Sequence, residues 1–311
     1  MSVSRDARRS ALTLPNALRR ASRLTGNERA PVVAIAIIAS WFDSLTPERL
    51  NMGAQLKALL AQDRVIKVFA LGQLCHPKLV EMAAWSGGFD AVWLDQEHAG
   101  LTVQQIEEAA RAARGCGLDS FVRLTATDYA TVMRALEAGA GGVMAAMVRS
   151  VRQVEDLMAW TKFHPRGMRG VNGSGVDGRY GATPAADYYR QANAETVVAV
   201  QIEHIDAVEE VEKIAAIADL DFLFIGPADL SQSMGIPGQW DHQRMWQAVE
   251  RVARACRAHR LPWAILPRDA EYARRCVDLG CRILSLGIDS WFFNLGVKAF
   301  KDRFAEYFPP S

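Results

Sequence analysis

The chain has 311 residues, half of them apolar, and a formal net charge of +1. That length and apolar share support a well-buried core in one large domain or two ordinary ones. The near-zero charge excludes a global field for nucleic acid or an anionic membrane, and no apolar run is long enough to span a bilayer.

The five cysteines, Cys75, Cys116, Cys256, Cys276 and Cys281, contain no CxxC pair and are odd in number. They read as buried free thiols of a reducing, cytoplasmic compartment rather than as a disulfide framework or a zinc site. Residues 1–50 stand apart. Arg5, Arg8, Arg9, Arg19, Arg20 and Arg23 face the single acid Asp6, and an apolar run over 30–39 follows. A secretory signal has a similar layout, but here the apolar part is short, starts late and runs into Trp41-Phe42-Asp43, a poor cleavage context. The segment is expected to be disordered or a loosely attached extension, or to precede a true start near Met52. The core domain is assigned to residues 51–311.

From residue 51 the pattern alternates. Apolar runs over 65–71, 90–95, 119–124, 142–148, 196–203, 221–226, 261–266 and 282–287 read as strands buried on both faces. Between them, helical periodicity runs over 77–86, 102–115, 128–138, 150–162, 205–218, 243–259, 268–279 and 290–307. Gly87, Gly117, Gly139 and Gly280 close several of these helices. Eight strand–helix units over about 260 residues match a (β/α)8 TIM barrel. A doubly wound open sheet is the alternative, but neither GxGxxG nor GxxxxGK[ST] follows the first strand. The Gly-rich stretch 163–195 breaks the rhythm. A loop of that length is usually functional, and it is expected to lie over the barrel mouth after the fourth strand.

Polar residues end several strands. The fifth run, Thr196 to Glu203, and the sixth, Asp221 to Asp229, both finish on an acid, with one crossover helix between them. The strands should therefore be parallel neighbours and their carboxyl ends should meet at one mouth. Two carboxylates held close repel each other unless a cation joins them, so Glu203 and Asp229 point to a divalent-metal site. Two oxygen donors suit a hard ion such as Mg²⁺ or Mn²⁺. The second run ends Leu94-Asp95-Gln96-Glu97-His98, and the third contains Val122-Arg123. Arg123 suits a carboxylate or a developing oxyanion, and His98 suits proton transfer near neutrality. Each has a plainer reading too. His98 could be a loop histidine, Arg123 an interior ion-pair partner and Asp229 a helix cap, while Asp95 and Glu97 could simply pair with basic neighbours. The convergence of four strand ends favours the catalytic reading.

Together with Arg134-Ala135-Leu136-Glu137-Ala138-Gly139-Ala140 and His164-Pro165-Arg166-Gly167-Met168-Arg169-Gly170, these motifs resemble the HpcH/HpaI aldolase family. Its members are metal-dependent class II pyruvate aldolases related to the citrate lyase β-subunits. The most specific segments are Gln201-Ile202-Glu203 and Ile225-Gly226-Pro227-Ala228-Asp229-Leu230-Ser231. The resemblance covers about residues 52–305 and implies a barrel of the phosphoenolpyruvate/pyruvate-binding type.

By position, it implies that Glu203 and Asp229 hold Mg²⁺, Mn²⁺ or Co²⁺ and that Arg123 contacts the keto or enolate oxygen. It makes His98 the acid/base, with Glu137 in the place of its aspartate partner. Gln201 and the backbone near Ala228 and Asp229 would position pyruvate. The implied reaction is reversible cleavage of a 4-hydroxy-2-oxo acid, of the 2-keto-3-deoxy sugar acid or 4-hydroxy-2-oxoheptanedioate type, to pyruvate and an aldehyde. The implied partners are those small molecules and further copies of the chain, in a hexamer built from dimers that exchange their last helix. A malyl- or citryl-CoA-type lyase and a non-catalytic 2-oxo-acid-binding barrel are the alternatives. Gln96, Glu137, Ala145-Ala146-Met147 and the loop 172–179 depart from the family pattern, all on the aldehyde side.

Overall fold

A computed structural model describes residues 53–308 of the protein. The expectations for residues 1–50 lie outside the described residues. Eight parallel strands close into a barrel in sequential order. They are β1 Ile66–Leu71, β2 Ala91–Asp95, β3 Asp119–Thr125, β4 Gly142–Ala146, β5 Val197–Ile202, β6 Phe222–Ile225, β7 Trp263–Ile265 and β8 Ile283–Ile288. All eight fall within or beside the runs predicted from sequence.

The period-2 alternation of strand side chains divides the apolar residues between two cores. In β2, Ala91 and Trp93 point into the barrel while Val92 and Leu94 pack under the helices. In β6, Phe222 and Phe224 point inward and Leu223 and Ile225 outward. The barrel is thus filled, with Trp93 edge-on to Phe224 (ring centroids 5.2 Å apart) and Phe121 edge-on to Phe222 (5.7 Å). A short helix, Ala54–Leu60, plugs the amino-terminal end with the buried Leu56. The buried carboxylate of Asp119, at the start of β3, accepts the Leu56 N–H and holds the plug in place.

The helices follow their predicted positions with a few differences. The stretch 205–218 breaks at Glu210 into Ile205–Glu209 and Val211–Ala215. The Glu210 carboxylate instead accepts the Val151 N–H at 2.8 Å. The last helix, Asp289–Arg303, begins at the end of β8 and leaves the side chains from Trp291 to Phe308 exposed. Among the described residues no helix is long and apolar enough to cross a membrane, and all five cysteines are free.

The long loop is not where the sequence reading placed it. It follows the helix Val151–Thr161 rather than the end of β4, so it starts and ends at the amino-terminal face, while its Gly170 N–H reaches the Tyr129 hydroxyl at the start of the helix Tyr129–Glu137. Its polar residues hold it there. Lys162, fully buried, donates to the carbonyls of Asn193 (3.1 Å) and Thr196 (2.9 Å). Arg169 pairs with Asp177, which also accepts the Tyr188 hydroxyl, and its guanidinium stacks over Phe163. An unforeseen helix, Ala185–Glu195, completes the segment. The glycine-rich stretch carries no helical period in sequence, and buried ion pairs and aromatic contacts order it instead.

At the opposite, carboxyl-terminal face, Asp289 fastens the seam of the barrel. Its buried carboxylate accepts the N–H groups of Gly72 and Leu74, both at 2.8 Å, tying β8 to the segment after β1. Asp289→Ala should therefore destabilise the fold by about 1–3 kcal/mol through donors left unpaired. Urea unfolding should show a lower midpoint at unchanged slope; an unchanged midpoint would remove Asp289 from this role.

Candidate active site

The strand parity that fills the barrel also builds a cavity at its carboxyl end, as this fold class requires. In β2, Ala91 and Trp93 point inward, so Asp95 does too. Asp95 stands in register beside Arg123 of β3. Arg123 donates from Nε (3.0 Å) and Nη2 (2.6 Å) to the two oxygens of Asp95, and its Nε also lies 3.3 Å from Glu97. Its guanidinium sits over the Trp93 ring, 4.6 Å from the centroid. A planar fork held by a bidentate carboxylate and an aromatic face has one orientation. Nη1, which makes none of these bonds, is the part left for a ligand.

On β5, Val197 and Ala199 point inward, and Gln201 and Glu203 continue that line. Glu203 is 2% exposed. Its Oε1 accepts the Met147 N–H at 2.6 Å, from a residue with φ of 54°, in the left-handed region that side chains larger than glycine rarely adopt. Its Oε2 lies against the bare Cα of Gly226, where a Cβ would come within 2.4 Å of it. Only glycine leaves room for the carboxylate at that turn. Beyond Gly226, Ala228 and Asp229 form the first turn of the helix Pro227–Ser233.

The cavity has a volume of about 220 Å³. His98, Arg123, Gln201, Glu203, Ala228 and Asp229 all line it, so six of the seven residues singled out from sequence meet there. Glu137 does not. It ends the helix Tyr129–Glu137, at the face opposite the ends of the strands, and its carboxylate accepts from Asn172 of the long loop at 3.1 Å. The acid beside His98 in its own chain is Glu97, whose Oε2 lies 3.8 Å from Nε2. The expected pairing of His98 with Glu137 is therefore absent within one chain, because a barrel helix returns the chain to the opposite end.

The opposite side of the cavity is apolar. Leu266 follows β7, Ile288 ends β8, Trp291 begins the last helix, and Trp240 lies in the turn after Pro227–Ser233. Sequence reasoning missed these four. Leu266 and Ile288 could have been found by asking what ends the seventh and eighth strands. Trp240 carries no periodic signal.

Residues 67–294 match the model of the HpcH/HpaI aldolase/citrate lyase family. A 4-hydroxy-2-oxovalerate aldolase of Novosphingobium aromaticivorans is 32% identical over 241 residues, which cover 77% of this chain and 90% of that protein. A hydroxypyruvate/pyruvate aldolase of Pseudomonas aeruginosa is 31% identical over 231 residues, 74% of this chain and 85% of that one. Among solved structures, an HpcH/HpaI aldolase/citrate lyase family protein from Burkholderia cenocepacia superposes with a TM-score of 0.74 at 31% identity, covering 79% and 98% of the two chains.

The charge at the centre of the cavity is costly. Burial opposes ionisation of Glu203 and pushes its carboxyl up to about 7, with Glu97 and Asp229 adding repulsion against the favourable Met147 N–H bond. Burial raises Glu97 as well. Since the folded carboxyl titrates above its ordinary value of 4.5, the folded chain holds a proton that the unfolded chain has lost between those two pH values. Stability from this group therefore falls as pH rises from about 4.5 to 7, by an amount on the order of 3 kcal/mol. In buffer free of divalent ions, Glu203→Gln should be more stable than the parent at pH 8 and about equal to it at pH 4.5. Urea midpoints at the two pH values test this. A variant no more stable at pH 8 would mean that the buried charge is not strained.

Proposed function

The chain belongs to the HpcH/HpaI aldolase/citrate lyase family of carbon–carbon lyases, and on that premise we propose that it cleaves a 4-hydroxy-2-oxo acid reversibly to pyruvate and an aldehyde. The observation that carries this reading is the meeting of Glu203 and Asp229 with a rigidly held Arg123 in one cavity. The names of the relatives, aldolases of 4-hydroxy-2-oxovalerate and of hydroxypyruvate/pyruvate, support the same substrate class.

The residues present suit a divalent cation. Glu203 is buried beside other acids that raise its carboxyl. The Oε1 of Gln201, also lining the cavity, is buried without a hydrogen-bond partner among the described residues. The donors are all oxygens, the set that hard cations prefer. Among the described residues no three His, Cys, Asp or Glu side chains form a closed cage. Two carboxylates are the protein's share for an ion such as Mg²⁺, which usually keeps several waters. Glu203 and Asp229 would hold Mg²⁺ or Mn²⁺, which supplies Lewis-acid polarisation of the 2-oxo group when bound.

The chain's own groups do the rest. The N–H groups of Ala228 and Asp229, with Gln201, position the pyruvate end. His98 accepts the proton of the C4 hydroxyl. As the C3–C4 bond breaks, its electron pair moves toward C2 and an aldehyde forms at C4. Arg123, held still by Asp95, offers Nη1 to the oxyanion of the pyruvate enolate, where a preorganised donor is worth most. Protonation at C3 releases pyruvate.

Glu137 serves His98 only across two copies of the chain, since the two lie at opposite faces of their own barrel. The exposed apolar residues of the last helix, including Phe293, Leu295 and Phe300, favour such an assembly, with a hexamer built from dimers as the expected form. The five free cysteines suit a reducing compartment, and on that ground the protein is placed in the cytoplasm.

Cleavage coupled to lactate dehydrogenase should cease on complete chelation with EDTA and return with Mg²⁺ or Mn²⁺; activity without metal would overturn the mechanism. Arg123→Ala should slow exchange of the pyruvate methyl protons by about 10²–10³-fold, and retained exchange would remove Arg123 from the enolate role. Co-refolded His98→Ala and Glu137→Ala chains should recover activity that neither variant has alone. Mixtures as inactive as their components would exclude the shared pair.

A further inference from the structure

The long loop is built to hold one side chain against Glu137. Where it meets the helix Tyr129–Glu137, the Tyr129 hydroxyl accepts the Gly170 N–H at 2.7 Å. A Cβ on Gly170 would come within 2.4 Å of that oxygen, so only glycine permits the approach. Residues 173–181 then close on themselves. Tyr180 and Gly181 donate their N–H groups to the carbonyls of Gly175 (2.9 Å) and Gly173 (2.8 Å). Arg179 and Tyr180 hold φ of 53° and 56°, left-handed conformations that such residues rarely adopt. Backbone strain of this kind persists only where the surroundings over-determine it, and it concentrates at functional sites. Asp177, bound to Arg169 and to the Tyr188 hydroxyl, fastens this turn to the buried base of the loop. Asn172 stands between the two anchors. Its Oδ1 accepts the Ser174 N–H at 3.1 Å, which sets the orientation of the amide and leaves Nδ2 as a donor. Nδ2 donates to Oε2 of Glu137 at 3.1 Å. Oε1 of Glu137 bonds to none of the described residues. Asn172 is exposed and Glu137 half-buried, so a second chain can reach both.

Resting on the pyruvate-aldolase reading above and on its His98–Glu137 pair shared between chains, we propose that Asn172 is a positioning residue for Glu137. It holds the carboxylate in place for His98 of a second copy of this chain. A glutamate side chain loses rotamer freedom when it is fixed, and that cost opposes any contact it makes. One hydrogen bond from an ordered loop restricts the carboxylate before the second chain docks, and pre-ordering of this sort is what orientation contributes to rate. The bond occupies Oε2 and leaves Oε1 for the imidazole. An Asn172 that served only its own turn would use Oδ1 alone. The donated bond from Nδ2 is the part that the turn does not need.

The test is cleavage of a 4-hydroxy-2-oxo acid by the full chain with Mn²⁺, beside exchange of pyruvate methyl protons without any aldehyde. Asn172→Asp keeps the oxygen that accepts from Ser174 but removes the donor to Glu137. It should lower kcat by about 10–10²-fold, the scale of a misplaced catalytic group, with KM within about twofold. Methyl exchange should stay at the parental rate, which also shows that the variant is folded. Asn172→Gln keeps an amide donor and should retain more of kcat than Asn172→Asp. Co-refolding Asn172→Asp with His98→Ala should restore activity, because the intact Asn172 and Glu137 then come from the His98→Ala chain. Co-refolding it with Glu137→Ala should restore none. Parental kcat in Asn172→Asp, or Asn172→Gln no better than Asn172→Asp, would overturn the inference. So would recovery in the mixture with Glu137→Ala, or parental kcat in Glu137→Ala itself. Those results leave the aldolase reading standing, whereas a parent chain with neither exchange nor cleavage defeats both.

Discussion

The buried carboxylate of Glu203 is the constraint around which the mouth of the barrel is arranged. Its charge is opposed by burial and by two neighbouring acids, and three separate features admit it. The strand parity of β5 points it inward, Met147 adopts a left-handed backbone that delivers an N–H to it, and Gly226 offers no Cβ to collide with it. Such concentrations of unfavourable local choices are characteristic of functional sites. A site that raises a carboxyl this way gains by binding a cation, and the same strain that weakens the empty fold would favour the loaded one.

Arg123 is the counterpart. One arginine facing Asp95, Glu97, Glu203 and Asp229 leaves the cavity acidic, so it does not neutralise the site. The bidentate bond to Asp95 and the stack on Trp93 fix its direction instead. Asp95 acts through Arg123 as a positioning residue, and the in-register pairing of β2 with β3 makes the bond available without any loop being placed. The division between this polar half and the wall from β7 and β8 follows from the same closure, because each strand end contributes one side chain to one sector of the rim.

The amino-terminal face has a different economy. Lys162, Arg169, Asp177 and Asp119 are charged and largely buried, yet each is matched within its own segment or to the adjacent plug. Their pairing orders a Gly-rich loop that the sequence suggested was a cover for the mouth. Burial of Lys162 pushes its ammonium down to about 7, and its two carbonyl partners are main-chain groups that need a donor whether or not it is charged. Charge here supports the fold, as expected for the end of a barrel remote from the ends of its strands.

Much of the architecture was legible because double-faced burial writes itself into short runs of Val, Ile, Leu and Phe, and because acids at the ends of two such runs cannot be explained by packing. The runs preceding Asp95, Glu203 and Asp229 are of this kind. The helix Ala185–Glu195 and the break at Glu210 were not legible, since a glycine-rich stretch and a continuous helical period conceal them. By itself, the sequence determined the (β/α)8 barrel and the strand ends that carry ionisable groups, for alternation and helical period are local properties. Only the tertiary structure decided that Glu137 and the long loop stand at the far face, that Asp95 orients Arg123, and that Leu266, Ile288 and Trp240 wall the cavity. Those relations depend on closing the barrel, which brings together residues distant in the chain and separates others that its motifs had seemed to join.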